Sequence, residues 1–500
     1  MLTNAGSLIA ATLVTSLLGF VYWWVAARHF TPEDIGMASA SLSVMALLGN
    51  FCILGLGTLL ITELARQPGR EGSLISTALL VVGTVAGCAG CLFAIIAPSI
   101  SLDLTPLGVN LPHILVFGVG VSLTAMTMVL DQALIGLLRG ELQLWRNTLF
   151  ASAKLVILFL GSLWLVRRQG TTIYATWATG NIISLGALAV YTLFKQGWRG
   201  RNYLPQWGLV RKLGRAALQH HLLNLTLQAP TLMLPVLVTI LLSARMNAWF
   251  YVSWMIASFV FLIPNALTTV LHAMNSATPA LLAHKARMTI SLAFGTSVLA
   301  ICTLQVIAQQ ALSLFGSVYA VQATGNLHIL LLAAFPLIIR THYISICRIQ
   351  DRIAPAMLGM LPGTLLELLA AALGGYLGGL SGLSTGWVMA IYVESLFMLR
   401  TVWKATQSTA SPSLPTIAEA AWLLETPPFP AGPEMIWLLE TSPLPAIWLD
   451  SRQRDSRNDH QQGMQRRKSS YGTQRRLKPP RLVRYSPYAG DAYIADKKEA

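Results

Sequence analysis

Apolar runs long enough to cross a lipid bilayer recur along the sequence from near its first residue to about Trp403. A run of roughly 20 apolar residues spans the hydrocarbon core as a helix, because all of its backbone polar groups then bond within the segment. The alternating pattern of a membrane barrel, with segments of about ten residues, does not occur. We therefore predict twelve transmembrane helices, at residues 7–27, 36–62, 73–97, 112–138, 147–166, 173–194, 217–243, 248–271, 288–315, 326–347, 353–377 and 383–402.

The composition agrees with a polytopic membrane protein. Hydrophobic residues make up 54% of the 500 residues and charged residues 11%, whereas soluble proteins carry about 25% charged residues. Much of the net charge of +15 lies between apolar runs and near the C-terminus, which favours a role at the bilayer over nucleic-acid binding. The five cysteines lie within apolar segments, so we expect from them neither disulfides nor a metal site.

The distribution of Lys and Arg predicts the orientation. Loops that follow even-numbered spans hold fourteen of these residues, and loops that follow odd-numbered spans hold four. Because positive residues are enriched on the cytoplasmic side, we predict that the even-numbered loops and both termini are cytoplasmic.

The longest and most basic loop divides the spans six and six. We therefore predict a first lobe at residues 1–194, a linker at 195–216 and a second lobe at 217–404. The linker combines positive charges with Trp198, Tyr203 and Trp207, a pattern that suits a segment on the anionic inner leaflet.

The C-terminal region has a different character. Residues 405–500 contain a fifteen-residue repeat that begins at Trp422 and again at Trp437. Residues 451–486 then carry eleven Lys/Arg against two Asp, a net charge of +9. We predict a disordered cytoplasmic tail of low complexity.

Two ionisable residues lie inside apolar sequence on either side of a short polar turn. Asp131 precedes Arg139 by eight residues, and Lys154 follows Arg146 by eight. At about 1.5 Å per residue, each lies roughly 12 Å inside a boundary drawn at those arginines, so we expect them to be level enough to pair across a hairpin. The turn between the tenth and eleventh spans repeats this pattern with the signs exchanged, because Arg340 precedes it and Glu367 follows it.

Charges at this depth admit two interpretations. Each costs about 2.5 to 3.5 kcal/mol near the bilayer centre and so faces a partner or a wet cavity. For Asp131 and Lys154, a structural ion pair and a cavity-lining role stay equally open, whereas a cavity-lining role is favoured for Arg340 and Glu367. For Glu394, in the last span, a structural role is favoured over a cavity-lining role. Separately, two overlapping GxxxG spacings predict close helix packing at Gly374, Gly375, Gly378 and Gly379.

Three stretches carry a resemblance to a known family. They are GFVYWWVAARHFTPEDIGMASASLSVMALLGNF at 19–51, DQALIGLLRGELQLWRN at 131–147 with Lys154 following, and FPLIIRTHY at 335–343. With the six-and-six division, they resemble the oligosaccharide flippases of bacterial polysaccharide and O-antigen biosynthesis, within the multidrug/oligosaccharidyl-lipid/polysaccharide exporter superfamily. The resemblance covers about residues 1–404.

This resemblance implies an all-α fold of two six-helix lobes around a central cavity that opens alternately to the two sides of the bacterial inner membrane. It implies movement of polyprenyl-diphosphate-linked oligosaccharide between leaflets, without catalysis, cofactor or metal. Expected partners are that substrate, membrane lipids and other polysaccharide-assembly proteins, and no nucleic acid. From charge and depth, we expect diphosphate contacts at Lys154 and Arg340, with Arg28 a weaker choice at the external mouth, and ion-coupling or gating roles at Asp131, Glu367 and Glu394.

Two alternatives stay open. The first is a cation-coupled drug or metabolite antiporter of the same superfamily, which is expected to use an acidic site in the first lobe. The first span has no carboxylate, which weighs against it. The second is a membrane enzyme of glycan assembly, for which the sequence shows no cluster of catalytic groups. The absence of a P-loop argues against an ATPase.

Overall fold

The computed structural model describes residues 2–164, 170–196, 203–208, 215–277, 282–350 and 352–407. Within these ranges the chain is almost entirely α-helical and has no β-strand, so the all-α prediction is confirmed. The first half contains α1 (Leu2–His29), α2 (Pro32–Ile53), α3 (Leu56–Arg66), α4 (Glu71–Ile100), a 3-10 helix (Leu102–Leu107), α5 (Leu111–Gly136), α6 (Gly140–Trp164) and α7 (Gly170–Gln196). The second half contains α8 (Arg215–Leu241), α9 (Ala244–Ala277), α10 (Leu282–Ser313), α11 (Ser317–Gln322), α12 (Thr324–Leu331), α13 (Ala334–Ile349) and α14 (Ile353–Gln407).

Ten stretches of the described chain are long and apolar enough to cross a membrane. They follow the predicted spans from the second onwards, and the last of them, Pro355–Gln407, contains both the eleventh and the twelfth. Helix α1, with 28 residues, occupies the position of the first predicted span. The predicted tail lies outside the described residues from 408 onwards.

The second predicted span is divided at Leu54. Helix α2 begins at Pro32, where the Asp34 backbone N–H donates to Thr31 Oγ1 at 3.2 Å and proline fills a position that has no intrahelical donor to lose. It ends because Leu54 and Gly55 have φ of 51° and 77°, in the left-handed region. Leu54 gives no sequence signal for this conformation, and residues 36–62 therefore read as one span.

Helix α14 folds back on itself at Gly378 and Gly379. Both have non-helical backbone angles, with φ of −139° and +61°, and the positive value suits glycine. The two arms lie so close that a Cβ built on Gly374 would be 2.1 Å from the carbonyl oxygen of Gly382. The predicted packing role is therefore right for Gly374 and wrong for Gly378 and Gly379, which form the turn.

Helices α1–α7 form one lobe and α8–α14 the other. Within the first lobe, α1 packs on α6, α4 on α5 and α6 on α7; within the second, α8 and α13 pack on α14 and α9 packs on α10. Helix α2 packs against both α8 and α9, and it forms the main seam between the lobes. The two-lobed architecture is confirmed, whereas the boundaries at 194/195 and 216/217 stay predictions.

Part of the predicted linker contacts the first lobe. The backbone N–H of Gln206 donates to Thr77 Oγ1 at 2.6 Å, and Ser73 Oγ donates to the Leu204 carbonyl oxygen. Residues 203–208 therefore lie against the beginning of α4, with Trp207 exposed. The rest of the linker between α7 and α8 is outside the described ranges.

Polar contacts join the lobes at the end of the helices that carries the α1–α2 and α8–α9 turns, which we call the α1–α2 end. Asn247 Nδ2 donates to the Gly36 carbonyl oxygen at 2.7 Å and to Ser39 Oγ at 3.0 Å. Beside them, Arg245 forms an ion pair with Glu33. We call these five residues the latch, because each contact crosses from one lobe to the other.

An aromatic layer lies next to the latch on its inner side. Trp23 of α1 contacts Tyr251 of α9, with ring centroids 4.6 Å apart. Phe20 contacts Phe259 at 6.1 Å and Phe315 at 5.2 Å, both in edge-to-face arrangements. These contacts also cross the seam, so the α1–α2 end is closed by a polar and an aromatic layer in succession.

Candidate functional site

A cavity of about 460 Å³ lies between the lobes, next to the aromatic layer. Its volume is within the range of about 300 to 1,000 Å³ that small-molecule sites occupy. Of the six residues singled out from the sequence, four line it: Asp131, Lys154, Arg340 and Glu367. The other lining side chains that matter here are Arg146, the amides Gln132, Asn181 and Gln228, and the aromatic residues Phe150, Trp177, Trp254 and Trp387.

Asp131 pairs with Arg146 across the α5–α6 hairpin. Arg146 Nη2 donates to the two carboxylate oxygens of Asp131 at 2.7 and 2.8 Å. The Arg146 side chain is 3% exposed, so its assignment to an aqueous turn was wrong. The turn is short, because α5 ends at Gly136 and α6 begins at Gly140. Asp131 lies seven residues before residue 138, the midpoint of the turn, and Arg146 eight residues after it, which places them nearly level in an antiparallel pair of helices.

Lys154 lies two helical turns further along α6, inside a cage of three aromatic rings. Its Nζ is 3.6 Å from the ring centroid of Trp177, 4.5 Å from that of Phe150 and 5.2 Å from that of Tyr22. A cation over an aromatic face is attracted by the ring quadrupole. Lys154 is 3% exposed, so its charge is held in a largely desolvated site. Gly180 allows α7 to approach this point, because a Cβ there would be 3.1 Å from Lys154 Cβ.

The second lobe holds a buried charge cluster. Arg340 Nη1 contacts Glu367 Oε1 at 2.8 Å and Glu394 Oε2 at 3.6 Å. Trp387 Nε1 donates to the second Glu367 oxygen at 2.8 Å. The sequence placed Arg340 and Glu367 on either side of a short turn, and the structure brings them into direct contact. Glu394 joins them as a second carboxylate on the same guanidinium.

Three amides at the cavity wall carry buried polar atoms that have no hydrogen-bond partner among the described residues. They are Gln132 Oε1, Asn181 Nδ2 and Gln228 Nε2. Buried polar groups normally bond to protein or water, so these atoms are available to a polar ligand. Sequence reasoning missed them, although an amide inside an apolar span is a visible signal.

Arg28 lies away from the cavity wall, at the closed end. Its Nε donates to the carbonyl oxygen of Leu314 at 2.9 Å, which links the end of α1 to the end of α10 in the other lobe. In this conformation Arg28 therefore belongs to the closure between the lobes. Its expected role at an external mouth stays a prediction for a state in which that end opens.

Comparisons with known proteins agree with this architecture. Residues 1–245 match the family model described as polysaccharide biosynthesis protein. The fold is similar to that of an inward-facing multidrug resistance MATE family transporter of the MOP superfamily, with a TM-score of 0.61 and 16% identity over 79% of this chain and 96% of that one. The fold is also similar to that of an outward-facing transporter of the same family, with a TM-score of 0.52 and 14% identity over 80% of this chain and 95% of that one.

A third similar structure is a MOP superfamily transporter from Pyrococcus furiosus, described as having a binding pocket of reverse polarity that suggests a different function. Its TM-score is 0.52 at 15% identity, over 80% of this chain and 95% of that one. No curated protein sequence matches the chain at a significant level.

The all-helical, two-lobed fold around a central cavity is thus shared with these transporters. Residues 1–245, just under half of the chain, match the polysaccharide biosynthesis family model, and the fold is similar to that of transporters of the MOP superfamily. Both comparisons agree with the resemblance read from the sequence.

Proposed function

We propose that this protein moves polyprenyl-diphosphate-linked oligosaccharide from the cytoplasmic to the outer leaflet of a bacterial inner membrane by alternating access. The observation that carries the proposal is the charge of the cavity wall. Among the side chains that line the cavity, Arg146, Lys154 and Arg340 outnumber Asp131 and Glu367, a formal net charge of +1 for the wall; Glu394 contacts Arg340 but does not line the cavity. A wet cavity with excess positive charge attracts a diphosphate, which forms strong charge-assisted hydrogen bonds with Lys and Arg.

The remaining wall suits the sugar part of such a substrate. The free amide atoms of Gln132, Asn181 and Gln228 offer both donor and acceptor positions to hydroxyl groups. Trp177 and Trp387 add apolar ring faces to the same wall. The prenyl chain needs no site of its own, because it can stay in the hydrocarbon of the bilayer.

Lys154 and Arg340 remain the leading diphosphate contacts, and both already have partners in this structure. Lys154 rests against aromatic rings, and Arg340 against Glu367. A diphosphate that binds either cation must replace that partner. When Arg340 turns to the substrate, Glu367 and Glu394 lose their positive partner, and each can then bind a coupling cation or a proton. This exchange is the physical basis for a coupling-ion or gating role of these carboxylates. Asp131 would act in the same way if Arg146 turned to the substrate.

The orientation follows from the charges of the loops. If the even-numbered loops are cytoplasmic, the α1–α2 end is external, and the latch closes the cavity on that side. This conformation then receives substrate from the cytoplasmic side.

A fluorescent-protein fusion after residue 407 should fluoresce, and an alkaline-phosphatase fusion there should be inactive; the reverse result contradicts the cytoplasmic location of the C-terminus.

The central experiment is complementation of a strain that lacks its flippase, with this protein and variants at equal membrane levels. Wild type should restore surface polysaccharide, whereas Lys154→Ala and Arg340→Ala should leave lipid-linked oligosaccharide on the cytoplasmic leaflet. Lys195→Ala is the matched control, because Lys195 is also a lysine beside an aromatic ring but lies on the exposed end of α7. Failure of the wild type across strains with different glycans, together with export of cationic drugs, would favour the antiporter alternative.

A further inference from the structure

The rings around Lys154 form a built site with rigid walls. Tyr22 is fully buried, and its hydroxyl hydrogen-bonds with the Ile173 carbonyl oxygen at 2.9 Å and with Thr176 Oγ1 at 2.8 Å, which fixes the ring between α1 and α7. Phe150 and Trp177 meet edge to face, with centroids 5.1 Å apart and an interplanar angle of 80°. The three rings come from three helices and enclose the lysine ammonium on several sides.

Three aromatic faces around one position are the arrangement that binds quaternary ammonium groups. Such groups have diffuse positive charge and lose little hydration when they enter an aromatic cage, whereas an anion is repelled by the ring faces. The cage opens on the transport path, because Phe150, Lys154 and Trp177 all line the central cavity. An organic cation inside the cavity would therefore meet this site if it were vacant.

We propose that the cage formed by Tyr22, Phe150 and Trp177 is a binding site for organic ammonium ions that Lys154 occupies as an internal ligand. Lys154 thereby sets the specificity of the cavity in two ways. Its side chain fills the space that a small quaternary ammonium ion needs, and its charge repels any other cation that approaches. The cavity of the wild-type protein rejects organic cations, while removal of this one side chain exposes a cation site.

This inference goes beyond the proposed function, because it concerns cation rejection and does not depend on the identity of the glycan. It also explains how one fold can serve substrates of opposite charge. With the lysine in place, the cage adds a positive charge to the cavity. With a small residue at position 154, the same three rings can bind the positive charge of a substrate.

The test is direct binding of tetramethylammonium to the purified full chain in detergent, measured by saturation-transfer NMR of its methyl protons. Truncation of Lys154 to alanine removes nearly as many heavy atoms as the probe contains. Lys154→Ala should bind the probe with a Kd at least about tenfold lower than wild type, as expected for a desolvated cation over aromatic faces. Adding Trp177→Ala to this variant should abolish the gain.

Two controls separate cage vacancy from loss of charge. Lys154→Met removes the charge but leaves an unbranched side chain in the cage, and it should show no gain. Lys195→Ala vacates the exposed Tyr191 ring, which has the Trp145 ring 6.3 Å away but no enclosing cage, and it too should behave as wild type. The proposal is overturned if a monodisperse Lys154→Ala protein binds the probe no better than wild type, or if Lys154→Met gains as much.

A second measurement covers the case in which Lys154→Ala does not fold. Lys154→Cys, in a background without the five native cysteines, is labelled with a thiosulfonate reagent that carries either a trimethylammonium or a sulfonate group. The trimethylammonium adduct should regain the thermal stability of the wild type, and the sulfonate adduct should not. Equal stability of the two adducts would show that the cage does not recognise a cation.

Discussion

Asp131 and Arg146 form an ion pair across the α5–α6 hairpin, in which one guanidinium nitrogen donates two hydrogen bonds of 2.7 and 2.8 Å to the carboxylate. Arg146 is the more deeply buried partner, at 3% exposure of its side chain against 19% for Asp131. The pair lies on the cavity wall between the short turn and the Lys154 cage. It therefore fixes the register of α6, the helix that carries Lys154.

Removing one member of this pair should destabilise the protein more than removing both. Arg146→Met leaves the Asp131 carboxylate without its guanidinium, and we expect a loss of about 3 kcal/mol in the free energy of unfolding. The double variant Asp131→Asn/Arg146→Met should recover most of that loss. The measurement is equilibrium unfolding in mixed micelles, and a double variant as unstable as the single one would show that the pair does not act as a unit.

The sequence was sufficient for the spans and the two lobes, because both depend on the length and spacing of apolar runs. It also placed Arg340 and Glu367 on adjacent spans joined by a short turn, but it did not predict their direct contact, because Glu367 lies deeper in its span than Arg340. The depth of Arg146 could not be predicted. It depends on a turn that ends at Gly140, whereas arginines flanking an apolar run ordinarily mark its boundary.

The Lys154 cage required information that local pattern does not hold. Phe150 is one helical turn from Lys154, but Tyr22 and Trp177 reach it only because α1 and α7 both pack on α6. The expected Asp131–Lys154 pair stays a prediction, because the structure establishes Arg146 as a partner of Asp131 and the rings as the surroundings of Lys154. Arg28 could not be placed either, since its contact with Leu314 depends on how the lobes meet.

The two carboxylates beside Arg340 should respond differently to neutralisation. Glu367 accepts hydrogen bonds from Arg340 and Trp387, whereas neither oxygen of Glu394 has a hydrogen-bond partner among the described residues. Glu367→Gln should therefore lower the free energy of unfolding by about 2 kcal/mol. Glu394→Gln removes an excess buried charge and should leave the stability unchanged or higher. Thermal unfolding of both variants checks this, and a larger loss for Glu394→Gln would contradict it.

The α14 hairpin should depend on the absence of a side chain at Gly374. A methyl group there would meet the Gly382 carbonyl oxygen, and that contact is with backbone, so the arms must separate. We expect Gly374→Ala to cost about 2 kcal/mol, as for an overpacked core position. Gly295→Ala in α10 is the matched control, because nothing lies within 4 Å of a Cβ at that site. Equal melting temperatures for the two variants would exclude close packing as the role of Gly374.

The latch should open in every transport cycle if alternating access is the mechanism. Ser39→Cys/Asn247→Cys places a thiol pair where a hydrogen bond of 3.0 Å now joins the lobes, in a background free of native cysteines. Oxidation should trap the closed α1–α2 end and stop transport, and a reductant should restore it. The control is Ser384→Cys/Asn326→Cys, which replaces a contact of 2.5 Å within the second lobe and should leave transport intact when oxidised. Transport at the wild-type rate with the lobes cross-linked at the latch would mean that this end does not open, and the substrate would then need another exit.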